Sequence, residues 1–593
     1  MRLQTMSNMA GVPEELVVGR GDPVYMAHGY LTKVPVPAIM PFIEAFTREG
    51  DLVADPFAGS GMTGVAAAAL RRGARLFDIS VLGRHIGRNY VNLVDADLLR
   101  KQAGEVVDAA RRQLGDVYHV LCTGCGRGAQ LAKTVWSVQV ACPECSRAIS
   151  YYRAMESAGW SKRAMRCPHC TTLIGSRCRR VGEAAEVDYV ACGCMRTQRE
   201  QPASRPLFDV NLDGLPYPRV EISPDRQMYQ AQSLGRSGLT SVASFYSHRN
   251  LAVLTILHEQ IIQVTDDALR RKLLFAFTAS LTRASKRYQW SPIRPLNAAN
   301  ANYYVAPVYY EWNVYDLFLR KVEAVLRSDG WLRGERAEAT LFESEAADLD
   351  VTYHLASAEA IPLPDASVDY IFTDPPFGSN LFYADMALFQ EAWLDAFTDV
   401  TQEAVVDRGA KKRRSASRYE RMLTQALKEC RRILKPGGRV SMVFGNSAGR
   451  MWSLVQRSIQ NANLAIEPDR LVVLNKGQRS VKGLASGFEH VATLDLIITM
   501  VANDGDDRRF INPPRELVEE VARGATVEGR ERTPSHIYLE LLRHGMRNHW
   551  DLSELDLRIV TAALTGEGWE IEDSTGRLWR KIESNSPQEL TVV

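Results

Sequence analysis

Two short stretches of this chain have the residue types that a group-transfer site needs. The first is Asp55-Pro56-Phe57-Ala58-Gly59-Ser60-Gly61-Met62-Thr63-Gly64. Gly59 and Gly61 carry no side chain and accept positive φ, so the backbone there can approach a ligand closely. The helix that follows presents free amides at its start. The Gly-Lys-Ser/Thr ending of a phosphate loop is missing, and the spacing is not that of a dinucleotide fingerprint. Asp78, after the next strand, stands where an acid can hydrogen-bond both hydroxyls of a ribose. A nucleoside without a pyrophosphate fits this pair; the plain alternative is a tight glycine turn. The second stretch is Thr373-Asp374-Pro375-Pro376-Phe377. Its prolines fix φ and remove backbone donors, which turns carbonyls outward. An exocyclic amine is a poor nucleophile because its lone pair is delocalised into the ring. The Asp374 carboxylate and the Pro375 carbonyl could accept the amine hydrogens and turn the lone pair towards a methyl sulfonium. Phe377 could stack on a base taken out of a duplex. The sulfonium departs as a neutral thioether, so no metal is needed at the reacting centre and placement supplies much of the rate. A bare Pro-Pro turn after a strand is the plain alternative.

A third group of residues has a different use. Nine of the ten cysteines lie between Cys122 and Cys194, and Cys430 stands apart. Cys122-x2-Cys125 and Cys142-x2-Cys145, separated by 16 residues, are expected to give one tetrahedral Zn2+ site. Cys167-x2-Cys170, separated by 21 residues from Cys192-x-Cys194, is expected to give a second, with Cys178 as a substitute ligand. Reduced, metal-free buried cysteines are the alternative. Neither set has the Glu context of a base deaminase, so zinc here would stabilise a small insert with little core of its own.

The elements around these residues follow an order. Helical apolar spacing with Pro35 at its start covers 35–48, a short strand covers 52–54, and an alanine-rich helix follows the Gly-rich turn. A second strand at 75–77 ends at Asp78. Strand, Gly-rich turn, helix, strand, acid is the opening of a doubly wound α/β sheet. The sheet pattern returns at 351–355 and at 368–373, where the strand ends in Asp374. Further strands are expected at 439–444, 471–474 and 494–500, with helices at 248–263, 268–284, 383–397 and 419–434. The divisions expected are 1–117 (cofactor half), 118–200 (zinc-ribbon insert), 201–345 (linker and helical insert for target recognition), 346–503 (catalytic half) and 504–593 (a mainly helical, charged C-terminal region).

DPFAGSGMTG together with DPPF is similar to the amino-methyltransferases of restriction–modification systems. HGYLTKVPVPAIMPFIEAFTREGD, at 28–51, resembles the segment that precedes the Gly-rich motif in that family, and KPGGRVSMVFG, at 435–445, resembles a later strand entry. The resemblance implies a Rossmann-like sheet and S-adenosylmethionine held by Asp55, Phe57, Gly59, Gly61 and Asp78. It implies Asp374, Pro375, Pro376 and Phe377 as the catalytic tetrad. Ser357 and Ala358 would border the cofactor's adenine, with Glu359 the nearest acid. The motif order, cofactor first and catalysis last, resembles the class that modifies adenine in double-stranded DNA and carries its target-recognition region in between. Phe377 in place of the commoner Tyr keeps cytosine open. RNA base methylation and a catalytically silent DNA-binding scaffold are the other readings. By resemblance the chain serves restriction–modification or phage defence alongside other subunits. The chain also resembles the family of adenine-type methylases that carry inserted zinc ribbons, and Glu311-Trp312-Asn313 resembles a segment of that family.

Composition narrows the partners. The formal charge is +2 over 593 residues, so a nucleic-acid surface must be local. The 122–200 stretch holds twelve Lys/Arg against six Asp/Glu, an excess that two four-thiolate zinc sites would reduce. The basic run from Asp407 to Arg418, with Arg408, Lys411, Lys412, Arg413 and Arg414, reads either as a phosphate clamp or as a solvated loop. The aromatic stretch 303–312 is expected in the core rather than stacked on bases, and His85 is expected to be structural. No apolar run reaches membrane-span length and no signal region opens the chain, so a cytoplasmic location is expected.

Overall fold

In the computed structural model the described residues run from 12 to 580, apart from 20, 176, 204–210, 233, 293–295, 298–302, 339–349, 379–380, 408–413, 478–491, 504–508, 515, 525–531 and 573–575. Eight strands form the main sheet. In spatial order they are Glu15–Val17, Leu464–Asn475, Asp495–Ala502, Leu434–Phe444, Val368–Thr373, Leu52–Asp55, Gly73–Asp78 and Val351–Leu355. Only Asp495–Ala502 runs antiparallel to its neighbours; the other pairings are parallel. The chain starts at Leu52–Asp55, steps outwards through Gly73–Asp78 to Val351–Leu355, and then returns to the other flank of Leu52–Asp55 with Val368–Thr373. The strand order therefore reverses between Leu52–Asp55 and Val368–Thr373, and a crevice opens beyond the carboxyl ends of such a pair. The two chemistry-bearing motifs sit at those two ends.

The first helix after Leu52–Asp55, Met62–Ala69, is buried along its whole length. Its alanines and Gly64 let its backbone lie flat on the sheet: a Cβ on Gly64 would come within 2.6 Å of Leu76 Cδ1. The helix Val36–Phe46 begins with Pro35 and Pro37 and buries Ile39, Phe42 and Ile43, the apolar stripe that its spacing predicts.

Residues between Gly73–Asp78 and Val351–Leu355 build a second, antiparallel sheet and a group of helices. The sheet is centred on one long strand, Gly128–Ala141, with Arg180–Ala191 on one side and Val308–Trp312 on the other. The expected boundary at 200 therefore cuts through one continuous sheet. The aromatic stretch supplies a core strand: Tyr303, Tyr309 and Tyr310 are buried. Glu311 and Asn313 are structural too. Glu311 pairs with Arg249 and accepts from Trp136 Nε1 at 2.8 Å, and Asn313 donates to Leu131 O at 3.0 Å. The helices His248–Ile262, Asp267–Ala284 and Val314–Glu338 share a core with the first half of the main sheet, where Phe275 stacks on His28 at 5.0 Å and meets Tyr90 edge-on at 5.1 Å. At the other end, the helices Pro534–Arg547 and Leu557–Gly566 share a core with the last strands. The helix after the second motif is shorter than expected, ending at Glu391. No helix among the described residues is long and apolar enough to cross a membrane.

Candidate active site and cysteine clusters

A single cleft of about 1020 Å³, counting its open mouth, lies over the ends of Leu52–Asp55 and Val368–Thr373. Asp55, Phe57, Gly59 and Asp78 line it from one side, Asp374 and Pro376 from the other, and Ser357 and Ala358 from the end of Val351–Leu355. The segment Tyr30–Val34 closes a further wall. The two motifs touch directly: Thr373 Oγ1 donates to Asp55 Oδ1 at 2.9 Å, across 318 residues of chain.

Asp55 organises the Gly-rich turn. Its carboxylate also accepts from Phe57 N at 3.0 Å and from Thr63 Oγ1 at 2.7 Å. Burial nevertheless pushes it up to about 7 against those three donors. Asp78 holds the same turn from the next strand, accepting from Gly59 N at 2.8 Å and Ser80 N at 2.9 Å; burial raises its pKa. Gly59 has φ +48° and its Cα faces the Tyr30 ring. Gly61, expected to give a ligand room, is not among the residues lining the cleft. Its missing side chain makes space for the next helix instead, since a Cβ there would stand 2.7 Å from Gly87 Cα. Gly83 is as tightly placed, with a Cβ position 2.4 Å from Gly59 O.

The second motif is pinned downstream of its acid. Tyr419 Oη donates to Pro376 O at 2.6 Å, and Asn446 Nδ2 donates to Phe377 O at 2.9 Å. No described residue donates to the Asp374 carboxylate, and Asp374 lines the cleft. Asp374 is half-buried. Burial pushes it up to about 8, opposed by Lys476 and reinforced by Asp495 and Asp55. Lys476 Nζ stands 2.7 Å from Asp495 Oδ2. Phe377, expected to stack on a base, does not line the cleft; its ring packs edge-on against Phe444 at 5.1 Å. Pro375 is buried and also lies off the lining. Glu359 does line it.

Several lining residues carry no local signature in the sequence. Tyr383 Oη and Thr32 Oγ1 bond at 2.9 Å across the cleft wall. Glu403, pushed up to about 7 by burial, accepts from Ala384 N at 3.1 Å. The basic run reaches this corner. Arg414 pairs with Glu403 and Asp407 at 2.7 Å each, and Arg418 donates to the carbonyls of Glu403 and Thr401. Those two arginines fold their own loop rather than offering charge to a phosphate, a correction to the clamp reading. Residues 408–413, with the other four cations, lie outside the described residues. His85 is off the cleft, its Nε2 3.0 Å from Thr278 Oγ1.

All eight expected cysteine ligands cluster, but in different sets. Cys122, Cys125, Cys192 and Cys194 form one group and Cys142, Cys145, Cys167 and Cys170 the other, the four sulfurs in each lying within 4.8 Å of one another. The expected sharing of an ion by the first two knuckles is wrong, and the reason is length. The spacer between them is the single strand Gly128–Ala141, which at about 3.3 Å per residue holds its ends roughly 45 Å apart. Each knuckle instead closes with a partner brought back by another strand. The nearest sulfur pairs, 3.5–3.8 Å apart, match the spacing of about 3.8 Å that four thiolates take around a tetrahedral ion at 2.3 Å. The three Cys-x2-Cys knuckles repeat one turn: the first cysteine's amide donates to the carbonyl five residues on, at 2.8–2.9 Å, and Gly126, Ser146 and Thr171 take positive φ just after the second cysteine. Amides of Gly124 and Cys125 pull the Cys122 thiol down to about 6. Each group could hold one metal ion. Cys178 belongs to neither, and Cys430 is buried away from both clusters.

Residues 18–94 match the family model described as a DNA methylase, of the N6/N4 kind. The match spans Tyr30–Val34, the Gly-rich turn and Asp78 and ends before the insertion. It supports a DNA methyltransferase, of a family that covers both N6-adenine and N4-cytosine. No curated protein matches the chain.

Proposed function

We propose that the chain transfers a methyl group from S-adenosylmethionine to the exocyclic amine of adenine in double-stranded DNA. The observation that carries this reading is the Thr373–Asp55 hydrogen bond beneath one shared cleft, because it sets a nucleoside-type turn beside the Asp374 carboxylate that lines the same cleft. Asp78 and Phe57 would hold the ribose side, and Ser357 and Ala358 the adenine. The bound cofactor supplies a methyl on a sulfonium and leaves as a neutral thioether. Asp374 and the Pro375 carbonyl accept the two amine hydrogens, which turns the nitrogen lone pair out of conjugation and towards the methyl. The Asp374 carboxylate would take the proton that the amine sheds on receiving the methyl. Phe377 would need to turn from Phe444 to reach a base, and in its present place it supports the motif from behind.

On this reading the cysteine clusters bind structural Zn2+, the insertion selects the DNA sequence, and the protein works in the cytoplasm within a restriction or defence system. The test is to incubate the protein and isotopically labelled S-adenosylmethionine with duplex DNA and with RNA, then digest and identify the nucleosides by mass spectrometry. Label in N6-methyladenine from DNA is expected. Label in N4-methylcytosine would move the target, label only in RNA would move the substrate, and no label in any nucleic acid would sink the proposal.

A further inference from the structure

Side chains alternate along the strand Val308–Trp312 of the second sheet. Tyr309 joins the core shared with the helices, and Glu311 pairs with Arg249 on that side. Tyr310 and Trp312 take the opposite face. There Lys133 stands between Trp312 and Tyr189 in the strand register. Its ammonium lies 4.2 Å from the centre of the Tyr189 ring, 4.7 Å from Tyr310 and 4.9 Å from Trp312. Two guanidinium groups reach the same Trp312 ring from the helices Asp267–Ala284 and Val314–Glu338: Arg283 at 5.6 Å and Arg320 at 5.5 Å. All three charges therefore lie within 5.6 Å of one ring centre, and no two of them stand farther apart than twice that. Arg283 and Arg320 are exposed, while Lys133 and Trp312 are half-buried.

Among the described residues none of these three cations forms an ion pair, whereas Lys286 nearby is paired with Glu183 at 2.7 Å. Glu200 faces Lys133 and Asp316 faces Arg320, neither at ion-pair distance. Lys321 and Arg327 add positive charge beside Arg283. Like charges gathered in this way repel one another and cost stability unless an anion joins them. The rings hold the cations in place, and a guanidinium laid on a ring keeps its N–H edge free for a phosphate. Cations fixed beforehand lose less freedom on binding. We infer that this face holds the sugar–phosphate backbone of duplex DNA, with Lys133, Arg283 and Arg320 each on a phosphate. The inference rests on the proposed DNA substrate and supplies the local cationic surface that a chain of charge +2 needs. Its place in the fold fits. Thr282, next to Arg283, accepts from Gln390 Nε2 at 3.3 Å. Seven residues of helix, about 10 Å, separate Gln390 from Tyr383 on the cleft wall. One turn of duplex is about 34 Å long, so DNA that gives a base to the cleft has backbone within reach of this face.

Salt dependence tests this directly. Fluorescence anisotropy of a labelled mixed-sequence duplex, titrated with the full chain from 50 to 200 mM salt, gives the slope of log affinity against log salt. The double variant Arg283→Gln with Arg320→Gln should flatten that slope by about 1.8, at about 0.9 for each lost phosphate contact. Wild type should therefore lose roughly tenfold more affinity than the variant across that range. Arg100→Gln removes an exposed cation that is already paired with Glu323 and should leave the slope unchanged. Near-UV circular dichroism checks that the tryptophan-bearing sheet is intact. Should the double variant not fold, Arg320→Gln alone decides, with a loss of about 0.9 expected. An unchanged slope overturns the assignment, as does an equal flattening by Arg100→Gln. A slope effect confined to single-stranded DNA or RNA overturns it too and gives the face to another nucleic acid. Wild type that methylates duplex DNA while its slope ignores both arginines refutes this surface alone. Wild type that neither binds nor methylates duplex DNA refutes the DNA reading beneath it.

Discussion

Replacing Thr373 by Val tests the seam between the two motifs. Thr373 is 1% and Asp55 3% exposed, and the hydroxyl is one of three donors to that carboxylate. Valine keeps the volume and deletes one donor. Burial holds Asp55 at about 7, above its ordinary 3.8. Charging it inside the fold therefore costs stability: its contribution is fully present below the unfolded pKa and is lost as pH rises through about 7. A hydrogen bond to a neutral group contributes about 0.5–1.5 kcal/mol and one to a charged group about 1.5–3 kcal/mol. The variant should thus be less stable than wild type by about 1 kcal/mol at pH 6, where Asp55 is protonated in both. Above the titration the deficit should reach roughly 2 kcal/mol, with the Asp55 pKa lifted by about one unit. Scanning calorimetry of both proteins at pH 6, 7.5 and 9 gives the difference in the transition of the main sheet. A gap that widens with pH is expected. A gap that is constant or narrows would refute the view that this hydroxyl supports an ionising Asp55.

Asp374→Asn should lower methyl transfer by about 10²–10⁴-fold while S-adenosylhomocysteine affinity stays within threefold; loss of binding as well would make Asp374 a structural residue. The wild-type rate should climb with pH through about 8 as Asp374 ionises. Lys476→Met, which removes the opposing charge, should move that midpoint to higher pH, and an unmoved profile would separate Lys476 from the chemistry. Metal analysis should find two zinc ions in wild type and one after Cys125→Ser with Cys194→Ser, since both serve one cluster. Cys125→Ser with Cys142→Ser should leave none, and equal counts in the two double variants would contradict the pairing. Gly83→Ala should weaken cofactor binding at least tenfold, because its methyl would press on Gly59 O from 2.4 Å; wild-type affinity would show that the turn can yield.

The convergence of Gly59, Asp78 and Asp374 was readable from sequence because each ends or follows an apolar strand, and a doubly wound sheet gathers such ends on one edge. The eight cysteine ligands were readable for a similar reason, since their spacing is local. Their grouping was not, although one signal was present: after Gly128 the spacer to Ala141 holds no Gly, Pro, Asn or Asp to break it, and an unbroken strand cannot bring its own ends together. Gly61 and Phe377 were misjudged because what decides them is a distant backbone, Gly87, and a distant ring, Phe444. Lys476 and Tyr383 left no trace, since single residues from separate elements acquire meaning only when those elements pack.

The pairing of Gly73–Asp78 with Val351–Leu355 has a consequence for how the protein is made. As the chain leaves the ribosome, Leu52–Asp55 and Gly73–Asp78 can form a two-stranded ribbon with both edges bare. Neither edge finds its partner until residues 79–350 have emerged, which takes roughly 15–55 s at about 5–20 residues per second. A hydrophobic ribbon with open edges is prone to pair with other chains. The helix Asp267–Ala284, arriving before Val351–Leu355 and packing Phe275 on His28 and Tyr90, would bury the neighbouring apolar surface during that wait. The insertion would thus shelter the nascent half-sheet before it ever meets a substrate.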